Sequence, residues 1–169
     1  MASYSVGCKA LRIGAKGAAG IMGTLTDSDA FVPYKESLKF SASDPTFNSH
    51  YGENQKYPDV VVSEQVPGDF SFEVHNLSKA NLAKFIGGTA DGTTETWSDG
   101  TDHFSIEQSM EVDTIFDETW QYARVLLSGV IKYDADRKNI AKIAVKGMIL
   151  NPEDATGATP PMKKIPTPA

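Results

Sequence analysis

The sequence predicts an all-β domain carrying one short α-helix. Two observations lead there: most apolar segments alternate with a period of two, and a single stretch, residues 77–88, has helical spacing. Phe70, Phe72 and Val74 alternate with Ser71, Glu73 and His75, which puts three bulky apolar groups on one sheet face and polar groups on the other. After Leu77 the period changes. Ser78 is placed to cap a helix, Leu82, Phe85 and Ile86 fall at i, i+3 and i+4, and Gly87 and Gly88 supply the left-handed residues that end it.

The other elements follow in order. Residues 4–13 alternate weakly and then shift phase at Leu11, which predicts an opening strand with a bulge. Residues 21–26 read as a second short strand, forming a hairpin with the first and ending at the Asp27-Ser28-Asp29 turn. Residues 36–43 alternate Leu38, Phe40 and Ala42 against polar neighbours until Asp44-Pro45 stops the strand. Residues 60–66 open with three valines, turn at Pro67-Gly68, and are expected to pair with the strand that begins at Asp69. Residues 89–102 are rich in Gly, Thr and Asp, with Trp97 as their one large side chain, and read as a loop or irregular edge.

Residues 103–116 predict a long strand with Phe104, Ile106, Gln108, Met110, Val112 and Thr114 on one face. The opposite face, with Glu107, Glu111 and Asp113, is strongly acidic. Residues 120–133 fit strand or helix by periodicity, but Gly129, the β-branched Val130 and Ile131, and the turn at Asp134-Ala135-Asp136 favour strand. Residues 140–150 close the domain with Ile143, Val145, Gly147 and Ile149 in phase. The expected division is a β domain over residues 1–152 and a Pro/Thr/Ala-rich tail over 153–169, too poor in apolar side chains to hold itself except against a neighbour.

Composition narrows the function. The 169 residues suit a single domain that buries about two-thirds of its unfolded surface without a metal or disulfide. Sixteen Lys and Arg against 22 Asp and Glu give a formal charge of -6, which disfavours a basic surface that grips nucleic acid. Cys8 has no second cysteine to pair with, and neither a signal-peptide core nor an apolar run of membrane-spanning length is present, so a cytosolic product is expected.

Catalytic chemistry finds no foothold. His50, His75 and His103 lie at no metal-ligand spacing, Cys8 has no recognisable base nearby, and the glycines of 14–23 match no phosphate-binding loop. Asp27, Asp29 and the 99–102 turn are acidic without an EF-hand pattern. No metal, cofactor or enzymatic activity is expected. The unusual segment is 45–58, a long polar stretch that nevertheless keeps Phe47, Tyr51 and Tyr57. Two readings stand open for it: a surface excursion that folds its rings under itself, or a set of anchors for another protein.

The order of these elements, the helical pattern Leu77-Ser78-Lys79-Ala80-Asn81-Leu82-Ala83-Lys84-Phe85-Ile86-Gly87-Gly88 and the closing strand Ile143-Ala144-Val145-Lys146-Gly147-Met148-Ile149-Leu150 resemble the tail tube protein family of long-tailed bacteriophages. The tube protein of contractile secretion systems shares that architecture. The resemblance implies a β-sandwich or barrel-like domain, a virion tail location after assembly in the bacterial cytoplasm, and hexameric rings stacked into a tube through which DNA is ejected. It implies as partners other copies of the chain, the tape measure, baseplate or tail-tip and terminator proteins, and DNA in transit, with no membrane insertion. Under that reading Phe47, Tyr51 and Tyr57 lie on an inter-subunit loop, and Glu64, Glu73, Glu107 and Glu111 are candidates to face the lumen, where carboxylates would repel phosphate. The alternative from another class is a soluble β-sandwich binding module that presents Trp97, Tyr51 and Tyr57 to a carbohydrate or protein ligand.

Overall fold

The computed structural model describes residues 7–34, 37–42, 44–51, 53, 56–64, 68–100, 102, 104–133, 141–153 and 157–166. Its strands are β1 (Cys8–Ala15), β2 (Ala30–Phe31), β3 (Lys39–Ser41), β4 (Thr46–His50), β5 (Val60–Glu64) and β6 (Asp69–Val74). After the helix α1 (Lys79–Phe85) come β7 (Thr89–Ala90), β8 (Trp97–Ser98), β9 (Ile106–Thr114), β10 (Glu118–Lys132), β11 (Lys142–Ile149) and β12 (Met162–Pro166). The fold is all-β with one short helix. His103, the turn at 134–136 and residues 4–6 lie outside the described residues.

One antiparallel sheet in the order β2-β1-β9-β10-β11-β6-β3 forms the body, and β12 joins it beside β10. The 15-residue β10 is the axis of the sheet. One of its edges carries β9, while the other carries β12 against its first five residues and β11 against its second half. Bulges interrupt the ladders between Cys8 and Ala10 in β1, just before the phase shift at Leu11, and between Tyr122 and Val125 in β10.

The inward positions follow the alternation. Leu11, Ile13, Phe70, Phe72, Met110, Val125, Leu127, Ile143 and Val145 are almost completely buried on one face of the sheet. Two strand glycines shape that face. A Cβ on Gly147 would lie 2.2 Å from the Phe70 ring, and one on Gly129 would lie 2.6 Å from the backbone oxygen of Phe85, so these positions admit a ring and a helix respectively. The sheet also curls. Phe40 of β3 stacks on Tyr122 of β10 at 5.4 Å, and Phe31 of β2 meets Phe72 of β6 at 5.7 Å, so rings from both outer strands reach the same core. The connection between β2 and β3 runs along β6, where the Tyr34 N–H donates to the Glu73 carbonyl and the Glu73 N–H donates to the Ser37 hydroxyl. Among the described residues the edges of the sheet do not pair with each other, and no closed barrel forms.

The helix begins and ends as its residues dictate. The Asn81 N–H donates to Ser78 Oγ at 3.4 Å, Phe85 is buried, and Leu82 and Ile86 pack half-buried against the core. Gly87 and Gly88 take φ of 90° and 78°, and the Trp97 indole N–H closes the end on the Gly87 carbonyl at 2.8 Å.

Four expectations need correction. Residues 21–26 form no strand; the Gly17 N–H bonds the Ile21 carbonyl and the Gly23 N–H bonds Ser109 Oγ, so the segment is fastened by a turn and a side chain, and β2 takes the hairpin position on β1. The 60–66 strand does not pair with β6, because β3 and β11 already occupy both edges of β6; β5 pairs with β4 instead. The 45–58 segment is therefore no plain loop, since its first third is a strand. Residues 162–166 form β12, held by backbone pairing and by Lys164, which bridges Glu118 at 2.7 Å and lies over the Trp120 ring. A ladder of this kind needs little apolar side chain, which is why composition pointed elsewhere.

Candidate functional site

The most exposed ordered feature is the β4–β5 arm. It leaves the body where Ser41 of β3 pairs with Asp69 of β6, and all ten residues of its two strands are exposed. Its register sets Phe47, Ser49, Val61 and Ser63 on one face and Asn48, His50, Val60 and Val62 on the other. Phe47, Tyr51 and Tyr57 are 64%, 61% and 75% exposed, so none of the three rings is folded under the arm. Of the two readings left open for these rings, the self-packed one is removed.

The four glutamates separate into two places. Glu64 is exposed at the end of β5, on the arm. Glu73, Glu107 and Glu111 all lie on the sheet face opposite the core, and each has a partner. Lys142 reaches Glu73 at 2.8 Å, Arg124 reaches Glu107 at 2.6 Å with Lys16 on its other side, and the Gln121 amide donates to Glu111 at 2.8 Å with Arg12 3.7 Å away. Hydrogen bonds from Arg124 and then Lys16 hold the Glu107 carboxyl down to about 2. Beside them, buried Asp113 accepts from Arg12 and from the Thr119 hydroxyl. The face expected to be plainly acidic is thus an ion-pair network. Its cations stand on β1, β10 and β11, with Lys16 just after β1, among residues whose alternation sets them on the outward face, the one sequence signal that could have revealed them.

The same outer face is open over β3, β6, β11 and β10. A cleft of about 580 Å³ there is lined by Lys39, Phe70, Ser71, Ser128, Lys146 and Met148 among others. A smaller cleft of about 320 Å³ shares Lys39, Ser71 and Lys146 and adds Lys132. A third, of about 410 Å³, lies between Cys8, Phe40, Trp120 and Tyr122.

No reactive centre emerges from these clefts. Burial, and then the Asp113 charge, push the Cys8 thiol up to about 11, so at neutral pH it holds its proton and is a poor nucleophile. Burial raises the Tyr122 phenol to about 12. His75 stacks on Tyr34 at 3.8 Å, with its Nε2 buried and without a hydrogen-bond partner. Asp29 accepts from the Thr26 N–H and hydroxyl, which lowers its pKa and directs the carboxylate into a turn. Among the described residues no group of His, Cys, Asp and Glu has the arrangement of a metal site. Trp97 is half-buried with its N–H engaged by the helix end, so it is not presented as a ligand platform.

No protein-family model matches the chain, and no curated protein matches it. Among solved structures it is similar to a chain in the cryo-EM structure of the anti-feeding prophage (AFP) baseplate, 6-fold symmetrised, with a TM-score of 0.49 and 8% sequence identity over 98% of each chain, a likeness that carries no argument about function.

Proposed function

We propose that this chain is a structural subunit that assembles with copies of itself into hexameric rings stacked as a bacteriophage tail tube, a conduit for DNA ejection. The observation that carries the reading is the β4–β5 arm, whose Phe47, Tyr51, Tyr57, Val60, Val61 and Val62 stand 45% or more exposed. A lone chain gains nothing by holding large apolar side chains out on an unsupported hairpin with two free edges; a second protein surface covers both the side chains and the edges. The sequence resemblance to tail tube proteins supplies the kind of assembly. Within it, Glu107 and Glu111 on β9 remain candidates for the inner wall as ion-paired carboxylates, while Glu73, which borders the smaller cleft, and Glu64 belong with Phe47, Tyr51 and Tyr57 at the contact between subunits. A wall of paired charges neither grips phosphate strongly nor repels it strongly, which suits a cargo that has to pass. The tape measure, tip and terminator proteins would meet the ends of such a tube.

The test removes the arm. Because Ser41 and Asp69 are paired neighbours, a turn of about four Gly and Ser residues can replace residues 43–67 without disturbing the body. Sedimentation and negative-stain electron microscopy should find rings or tubes for the full chain at high concentration and a folded monomer for the shortened one. A full chain that sediments as a monomer at every concentration overturns the proposal and favours the binding module.

A further inference from the structure

We propose that the cleft over β3, β6, β11 and β10 receives the β4–β5 arm of a second copy of this chain. The inference rests on the assembly reading above and names the surface that the arm occupies.

The cleft is built by register. Lys39 of β3 pairs with Ser71 of β6, Ser71 pairs with Lys146 of β11, and Lys146 pairs with Ser128 of β10, so a row of lysines and serines crosses four strands. Beside this row the outward apolar side chains are Leu126 of β10 and Met148 of β11, paired neighbours on the same face. Lys132 extends the row's charge into the adjoining cleft. Among the described residues Lys39, Lys132 and Lys146 form no ion pair, in contrast to Arg12, Lys16, Arg124 and Lys142 on the same face. The volume of about 580 Å³ lies within the range of roughly 300–1,000 Å³ found for clefts that hold ligands.

The arm is the complement in both respects. Residues 44–64 carry Asp44, Glu53, Asp59 and Glu64 against Lys56 alone, and the strand face with Phe47 and Val61 adds only the small, uncharged Ser49 and Ser63. Laid into the cleft, Phe47 and Val61 would cover Leu126 and Met148 while the carboxylates outside the two strands, Asp44, Glu53 and Asp59, face the three unpaired lysines. Within one chain the arm stands clear of the cleft, since every residue of β4 and β5 is exposed. A contact between two different patches is heterologous, so each copy offers a free arm and a free cleft to the next, and the series either closes into a ring or runs on as a filament.

The experiment uses full-length chains in a Cys8→Ser background. Copies with Val61→Cys are mixed with copies with Ser71→Cys, assembled and then oxidised. The expected product is a disulfide-linked pair containing one of each, at least tenfold more abundant than in either variant alone. Lys39→Glu with Lys146→Glu should raise the concentration needed for assembly at least tenfold, and Glu53→Lys with Asp59→Lys in the same chain should recover it. Tubes that form normally without the mixed disulfide, or that ignore the lysine reversals, overturn the cleft as the arm's seat and leave the assembly reading intact. Absence of assembly by the parent chain overturns both.

Discussion

Replacing Arg12 with Ala should destabilise the protein by about 2–3 kcal/mol, although Arg12 lies far from the arm. Its guanidinium donates to Asp113 Oδ2, while the Thr119 hydroxyl donates to Oδ1 at 2.6 Å. The Asp113 side chain is 5% exposed and that of Arg12 is 21% exposed. Breaking a fully buried ion pair by removing one partner costs about 3–5 kcal/mol because the other charge stays behind without compensation. Here water reaches the Arg12 side and Asp113 retains Thr119, so the loss falls to the bottom of that range or just below it, about 2–3 kcal/mol. Urea melts provide the assay, and a loss of this size moves the midpoint by about 1 M for a slope of 2–3 kcal/mol/M. The double variant Arg12→Ala, Asp113→Ala should be less damaged than the two single losses added together, by roughly 1–3 kcal/mol, since nothing charged is then stranded. A loss below about 0.5 kcal/mol for Arg12→Ala, or strict additivity, would refute the idea that this pair is coupled inside the sheet.

Gly129→Ala and Gly147→Ala should each cost about 1–3 kcal/mol by forcing α1 or the Phe70 ring off the sheet, whereas Gly92→Ala, which meets nothing within 4 Å, should leave the thermal midpoint almost unchanged; equal effects at all three would sink the steric argument. The Glu107 carboxyl, at about 2 in the folded protein against 4.5 as its ordinary value, contributes stability that is fully present above pH 4.5 and lost as pH falls toward 2. Glu107→Gln should therefore flatten the dependence of the thermal midpoint on pH between about 4.5 and 2, and an unaltered acid limb would show that Arg124 and Lys16 do not hold that carboxylate in solution.

What the sequence reveals is what its local periods encode. The β6 strand and α1 are legible because Phe70, Phe72, Val74 and then Leu82, Phe85 and Ile86 state both periods within twenty residues, with Ser78 and Gly87 at the helix ends. The β4 strand is hidden, since Asn48 and Ser49 are turn formers and its partner lies beyond a further stretch of polar residues. Partner choice is hidden for another reason: whether the valines of β5 join β6 depends on β3 and β11 having claimed its edges, a fact about the whole sheet. The candidate site divides the same way. Exposed rings in a polar segment are visible as composition, but the pairing of Glu107 and Glu111 is not, because alternation assigns a face without assigning what stands across it. Arg12 finds Asp113 over 101 positions of chain.

That separation also governs how the molecule comes into being. The β1 strand pairs along most of its length with β9, from Cys8 opposite Thr114 to Ala15 opposite Gln108. During synthesis at roughly 5–20 residues per second it waits about 5–20 s for its partner to be made. For that interval it is an orphan edge on a crowded ribosome, the situation in which strands of neighbouring nascent chains aggregate. Lys9 and Arg12 within the strand and Lys16 just after it give every such orphan the same positive charge, and like repels like. When Glu107, Glu111 and Asp113 emerge, the charge that kept the strand solitary becomes the charge that docks it.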